Sequence, residues 1–335
     1  MTAPVFVDYA DRGAIAGLRL GGMSIVERIV RDAAVAGAPA ATVRLAAADR
    51  PSLPSLPIAV TWLPVDAPPP ADAVAVPGDV IAGVQIVDRA SRKAAERALM
   101  QQCRRSYDGL GDTYVIRPVS LRITPHLAAL GATPNQVTWA NAVVGLAACA
   151  LVAAGPRWAQ VAGGLAIFLQ VVLDSCDGEL ARIRHRYSAF GRGLDNVTDD
   201  LIDLGMTVGF GLALGGAWLW LAIGGAVARA SCAAMIFRAV ARIGRPGDVM
   251  AFRWFFDRAD AALAERFEHK LTPMAVVRSL GRRDAYVIVW AIACLAGVLE
   301  PALVLALIVA YGYFGLSLAH RVARARRPVE DRAGM

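Results

Sequence analysis

Two long apolar stretches, 158–183 and 193–214, follow one another across a short polar turn, and their junction is crowded with acid. Six carboxylate side chains fall there: Asp174, Asp177, Glu179, Asp195, Asp199 and Asp200. On insertion scales each charge inside a membrane helix costs roughly 2.5–3.5 kcal/mol. Several together repel and neutralise one another unless positive charge sits among them. Bound divalent metal is the simplest remedy, which marks the junction as a candidate catalytic site.

The apolar stretches also dictate the architecture. The runs Gln136–Gly155, Trp158–Ile183, Gly193–Leu214, Trp218–Val240, Ala285–Leu299 and Pro301–Leu318 are of roughly spanning length, given that a helix needs about 20 residues to cross the hydrocarbon. Six transmembrane helices are expected, the last two joined by a tight hairpin at Glu300-Pro301. Composition agrees: 56% of residues are apolar and only 19% charged, against about a quarter charged in soluble proteins.

Residues 1–110 read differently, as a small α/β unit. Strands are expected at Val5–Val7, Ala41–Ala46, Ile58–Leu63 and Val84–Val87. Helices are expected after a Ser24 cap and over Ala90–Gln102, with a loop over the Pro-, Ala- and Asp-rich stretch 64–77. Residues 111–135 form a linker whose amphipathic part, 118–131, suits an interfacial helix or a soluble linker helix. The expected fold class is therefore multi-domain: an all-α six-helix transmembrane domain, 136–325, preceded by a small α/β cytoplasmic domain, 1–110.

The net charge is +7, and arginines gather beside the apolar runs: Arg182, Arg184, Arg186 and Arg192, then Arg238 to Arg283, then Arg321 to Arg327. This positive-inside pattern implies a multi-pass protein of the cytoplasmic (inner) membrane with both termini and the acidic junction cytoplasmic. It suits anionic lipid headgroups and disfavours nucleic acid, because every basic cluster adjoins a membrane segment. No basic stretch followed by an apolar run opens the chain, so no cleaved signal peptide is expected. The five cysteines are widely spaced and indicate neither a disulfide framework nor a zinc site. His126, His185, His269 and His320 lack metal spacing and are expected at the surface or interface. The polar connection 241–284, with Phe252-Arg253-Trp254-Phe255-Phe256, suggests a further interfacial helix.

Asp174 and Asp177 are spaced i, i+3, and Asp195 and Asp199 i, i+4, so each pair shares one helix face. Ala181 lies on the face of the first pair. Gly178 admits a close backbone approach, and Gly191 clears space one turn before Asp195. Two facing helices, each with a carboxylate pair, can hold two hard cations, and such a clamp stabilises attacking and leaving oxygens in phosphoryl chemistry. Arg182 adds a planar fork suited to phosphate. Arg282-Arg283 and the i, i+4 pair Arg238 and Arg242 could bind anionic headgroups or serve as plain membrane anchors. Acid pairs at this spacing usually form a solvated face, but the glycine and alanine at contact positions and the adjoining apolar runs argue for a site.

The pattern Asp-x-x-Asp-Gly-x-x-Ala-Arg, eight residues, Gly-x-x-x-Asp-x-x-x-Asp resembles the signature of the CDP-alcohol phosphotransferases. Asp174, Asp177, Gly178, Ala181, Arg182, Gly191, Asp195 and Asp199 match it without departure. Thr133-Pro134-Asn135-Gln136-Val137-Thr138 is similar to that family's entry into its first membrane helix, and the resemblance covers roughly 115–325. It implies that Asp174, Asp177, Asp195 and Asp199 ligate two divalent ions, both Mg2+, with Mn2+ as the alternative metal. It implies that Asp199 is also the general base on an acceptor hydroxyl, which attacks the β-phosphorus of a CDP-linked alcohol while CMP leaves. Gly178, Ala181 and Arg182 would cradle the cytidine diphosphate beside Gly191, and a homodimer is implied through membrane helices.

The segment Gly21–Arg28 is similar to part of the sugar-nucleotide-type nucleotidyltransferases. Their Gly-rich phosphate loop is missing from Asp8–Ala14, so the unit reads as reduced and inactive, or as an unrelated cap. Donor and acceptor stay open between CDP-diacylglycerol with a polyol or its phosphate, and a soluble CDP-alcohol such as CDP-inositol with a lipid; the N-terminal unit tilts toward the second. The alternative function is an ion- or proton-coupled transporter using the acidic cluster, whose acids belong near mid-membrane in broken helices. A non-catalytic scaffold has no use for four aspartates.

Overall fold

The structure, a computed structural model, describes residues 3–105, 108–185, 188–255 and 281–326. They fall into two compact units. One comprises Met1–Arg105, Leu121–Thr133 and Glu179–Arg186; the other comprises Ser106–Ser120, Pro134–Gly178 and Tyr187–Met335.

The first unit runs β1 (Val5–Asp8), α1 (Gly13–Ala16), β2 (Arg19–Leu20), β3 (Met23–Ser24), α2 (Ile25–Val35), β4 (Ala40–Arg44), β5 (Ala59–Leu63), β6 (Val74–Val76), β7 (Val80–Ile81), β8 (Val84–Gln85) and α3 (Arg89–Gln101). A four-stranded sheet has the order β5-β4-β1-β6, and every pairing in it is parallel. The central strand β1 buries Val5, Phe6 and Val7 in succession, as a parallel strand covered on both faces must. Against it α2 packs Ile25, Val26, Ile29 and Val30. The Ser24 side chain caps α2 by accepting from the Glu27 N–H at 3.3 Å. Asp88 caps α3 in a reciprocal box with Ser91. β2 and β3 are joined through Gly21 and Gly22, both at positive φ (57° and 77°), the conformation a tight two-residue hairpin demands.

The strands and helices expected here form, and α1, the short strands β2, β3 and β7 and, within the stretch read as a loop, β6 are additions. The three residues of β6 pair with β1, Val5 opposite Val74. A strand that short shows no periodicity, and only its partner creates it.

The helices that follow are α4 (Arg117–Ala129), α5 (Pro134–Ala154), α6 (Arg157–Ile183), α7 (Ala189–Leu214), α8 (Gly216–Arg242), α9 (Arg283–Ala296) and α10 (Leu299–Arg326). A short π-helical turn, Asp112–Ile116, leads into α4, and the stretch expected to be helical, 118–131, is helical through Ala129. Among the described residues, four helices are long and apolar enough to cross a membrane: α5, α6, α8 and α10. They expose Trp139, Leu146, Leu165, Trp220, Val227 and Ile308, a surface suited to lipid rather than water. The chain is a multi-pass membrane protein by this measure. α7 carries Asp195, Asp199, Asp200 and Asp203, and α9 has 14 residues, so neither meets the same standard.

The turn between α9 and α10 falls earlier than expected. Gly297 adopts the left-handed conformation (φ 77°) and its N–H bonds to Ala293 O, while Glu300 and Pro301 lie in the first turn of α10, where proline is tolerated. His320 is buried rather than superficial, its ring 5.1 Å from Phe252 and 5.9 Å from Trp254. His269 and most of the interfacial helix expected after Phe252 lie outside the described residues.

Candidate active site

Small residues set the helix spacing at the site. A Cβ on Gly145 of α5 would stand 2.2 Å from Ile202 of α7, and one on Gly205 of α7 would stand 2.8 Å from Cys149 Sγ of α5. α5 and α7 therefore approach closely, and α6 packs beside them with Gln170 3.1 Å from the Gly145 Cβ position.

This packing unites carboxylates from two helices. Asp174 on α6 and Asp195 and Asp199 on α7 each offer an oxygen, and the three atoms lie within 4.8 Å of one another. α5 supplies the neighbouring donors. Asn141 Nδ2 donates to Asp174 Oδ1 at 3.3 Å, and the Thr138 hydroxyl donates to Asp177 Oδ2 at 2.6 Å. Asp177 is buried and is not one of the three clustered acids. Gly191 sits in the first turn of α7, where its N–H donates to Ser188 Oγ at 2.8 Å. A Cβ there would stand 3.0 Å from Asn135 Oδ1.

One arginine enters the cluster. Arg283, at the start of α9, places Nη1 2.9 Å from Asp199 Oδ1 and 3.7 Å from Asp174 Oδ2. Its Nε lies 3.3 Å from Asp203 Oδ1, and Nη2 donates to Gln170 Oε1 at 3.4 Å. Asp203, one turn beyond Asp199, is fully buried. It accepts from the Tyr286 hydroxyl and from Arg229 Nη2, each at 2.5 Å. Arg229 also lies 3.6 Å from Asp200. The Tyr286 ring packs on Trp290 at 4.9 Å.

Five carboxylates (Asp174, Asp195, Asp199, Asp200, Asp203) thus face two guanidinium groups, an excess of negative charge. Asp195 Oδ1 and Asp199 Oδ1 are buried without an aligned hydrogen-bond donor among the described residues; Arg283 is close to the latter but not aligned with it. Buried anionic oxygen left this way is costly, and hard divalent cations take such oxygen ligands. The donor set fits a metal.

Other expected residues are distributed as follows. Gly178, Ala181 and Arg182 are half-buried toward the end of α6. Glu179 is buried and accepts from the Thr124 hydroxyl at 2.5 Å. Arg238 and Arg242 are exposed at the end of α8. Of the arginine pair at 282–283, Arg283 joins the acids and Arg282 pairs with Asp284 at 3.2 Å. Asn141, Gln170, Asp203, Arg229 and Tyr286 went unremarked in the sequence. Asp203 continues the i, i+4 series of α7 and could have been found that way.

A family model described as CDP-alcohol phosphatidyltransferase matches residues 132–311, more than half of the chain. The chain is 30% identical over 147 residues to a bifunctional IPC transferase and DIPP synthase of Aquifex aeolicus, covering 43% of this chain and 33% of that protein. It is 37% identical over 101 residues to an archaetidylinositol phosphate synthase of Pyrococcus horikoshii, covering 30% of this chain and 50% of that protein. It is 31% identical over 111 residues to a bifunctional IPC transferase and DIPP synthase of Thermococcus kodakarensis, 32% of this chain and 25% of that protein. The matches thus span between a quarter and a half of these relatives' lengths. With the family model spanning the helices that carry the clustered acids, the chain belongs to the CDP-alcohol phosphatidyltransferase family.

Proposed function

We propose that the protein is an integral membrane transferase of lipid biosynthesis that moves a substituted phosphate from a CDP-linked alcohol to an acceptor hydroxyl. The acceptor oxygen bonds to the β-phosphorus, the bond from that phosphorus to the CMP oxygen breaks, and CMP leaves. The observation that carries this reading is the convergence of Asp174, Asp195 and Asp199 inside the family match.

Asp174, Asp177, Asp195 and Asp199 would hold two divalent ions, Mg2+ or Mn2+. Bound ions supply charge neutralisation to the diphosphate and polarise its phosphorus. Asp199 accepts the proton of the attacking hydroxyl. Arg283, held against Asp199 by Asp203, carries positive charge to oxygens that become negative as the bond to CMP breaks. Gly178, Ala181, Arg182 and Gly191 cradle the cytidine diphosphate. An inositol-type alcohol is the first donor or acceptor to try, because one relative is by name an archaetidylinositol phosphate synthase.

The six helices α5–α10 would all cross the inner membrane, with α7 and α9 shielded by their neighbours, both termini cytoplasmic and two copies associated as a homodimer. Residues 1–110 would form the cytoplasmic α/β domain, 111–135 the linker and 136–325 the membrane domain. The unbroken course of α6 and α7 supports an enzyme over a transporter.

The test is CMP release by purified protein with Mg2+ and a panel of CDP-alcohols, each with and without acceptors (inositol, inositol phosphate, a diradylglycerol, a lipid alcohol). Acceptor-dependent CMP release supports the reading. A protein that binds Mg2+ yet releases no CMP from any donor overturns it.

A further inference from the structure

The segment Gly21–Arg28, similar to part of the nucleotidyltransferases, is used here for something else. In parallel α/β sheets, ligands bind at the carboxyl ends of the strands, where strand order reverses, which here is between β1 and β6. Tyr9 is buried at that point, and a Cβ on Gly78 would stand 2.8 Å from its ring. Asp79 is held by Arg12 and by Gln85, and Asp8 by Arg44. At the usual crevice these side chains pair with one another.

Gly21, Gly22 and Arg28 instead meet the end of α6 within the same compact unit. The Arg28 side chain is buried, and its Nη1 donates to Ile183 O at 2.7 Å while Nη2 donates to Leu20 O at 3.1 Å. The last carbonyls of a helix lack intrahelical donors, and a cation there also complements the helix dipole. Arg184 reaches the opposite way: Nη1 to Ala132 O at 2.6 Å, Nη2 to Ala128 O at 2.7 Å, Nε to Gly21 O at 3.4 Å. His185, at positive φ, places Nε2 2.6 Å from Asp32.

The two glycines make this closeness possible. A Cβ on Gly21 would stand 3.2 Å from Ile183, and one on Gly22 would stand 2.4 Å from Arg184 Nη2 and 2.5 Å from Ala128 O. Arg28, Arg184 and Asp32 therefore fix the turn that ends α6, which carries Ala181 and Arg182. We infer that the α/β unit acts as a splint on the motif helix, with Arg28 and Arg184 as positioning residues for Arg182 at the donor nucleotide. The nucleotide role of Arg182 rests on the function proposed above.

The test uses the full-length protein with Arg28→Ala, Gly22→Ala and, as control, Val30→Ala, which opens a cavity in the core of the α/β unit without touching the clasp. The first readout is amide hydrogen exchange over 180–185. Arg28→Ala and Gly22→Ala are expected to lose protection there, and Val30→Ala to keep it. The second readout separates KM from kcat: the clasp variants raise KM for the CDP-alcohol by roughly ten- to a hundredfold, with Mn2+ affinity unchanged and partial rescue by Arg28→Lys. Should Arg28→Ala fail to fold, Arg28→Lys and Gly22→Ala carry the comparison. Unchanged exchange and unchanged KM in the clasp variants, or equal losses in Val30→Ala, would overturn the splint. Absence of CMP release in the wild type would remove the enzymatic reading, while amide exchange would still decide the clasp.

Discussion

The Arg283 guanidinium stands 2.9 Å from the Asp199 carboxylate, a positive charge lodged where the family's chemistry requires cations. In the metal-free protein it is the counter-charge of the cluster. Arg283→Gln should lower the unfolding temperature in EDTA and enlarge the rise produced by Mg2+, since the ion then relieves repulsion that Arg283 no longer offsets. A Mg2+ shift equal to that of the wild type would contradict this role.

Asp199→Asn keeps the size of the side chain and removes the carboxylate proposed as the base. CMP release should fall by about 100- to 10,000-fold, with the fold retained as judged by unfolding temperature and elution volume. Unchanged turnover would sink the assignment of the base.

Tyr286→Phe tests the support beneath Arg283. The hydroxyl donates to buried Asp203 at 2.5 Å, and the ring packs on Trp290. Losing the hydroxyl alone should cost about 1–3 kcal/mol, read as a lower unfolding temperature, and should lower kcat because Arg283 is less well held. A stability loss with kcat unchanged would make Asp203 and Tyr286 a purely structural pair.

Asp112 lies ahead of α4, and its backbone N–H donates to Asp284 at 3.2 Å. Burial, and then the Asp284 charge, push its carboxyl from the usual 3.8 up to about 6, with Arg117 pulling the other way. The folded state therefore binds more protons than the unfolded state between about pH 4 and pH 6, so stability falls as pH rises through that window. Asp112→Asn should raise stability by about 1–3 kcal/mol above pH 7 and confer no gain near pH 4. Equal effects at both pH values would contradict the cause assigned.

Much of this architecture can be read from the residues alone, for physical reasons. Asp174, Asp195 and Asp199 are legible because helical spacing orients side chains locally and the adjoining apolar runs place them on neighbouring helices. The bond from Thr138 to Asp177 is half legible, through the Thr133–Thr138 resemblance. The ladder Arg283–Asp203–Arg229 joins three helices, and no local pattern records which arginine reaches which acid. β6 has three residues and exists through its pairing with β1. His320 is buried by Phe252 and Trp254, which sequence distance hides. The clasp on α6 depends on carbonyl oxygens, which carry no residue identity.

The central claim is that Asp174, Asp195 and Asp199 hold divalent cations. Its most direct test is Mn2+ binding to the purified full-length protein without substrate, followed by electron paramagnetic resonance, in wild type and Asp195→Asn. The account predicts saturable binding displaced by Mg2+ and weakened at least about tenfold by the substitution. Equal Mn2+ affinity in both proteins, or no binding in either, would contradict it.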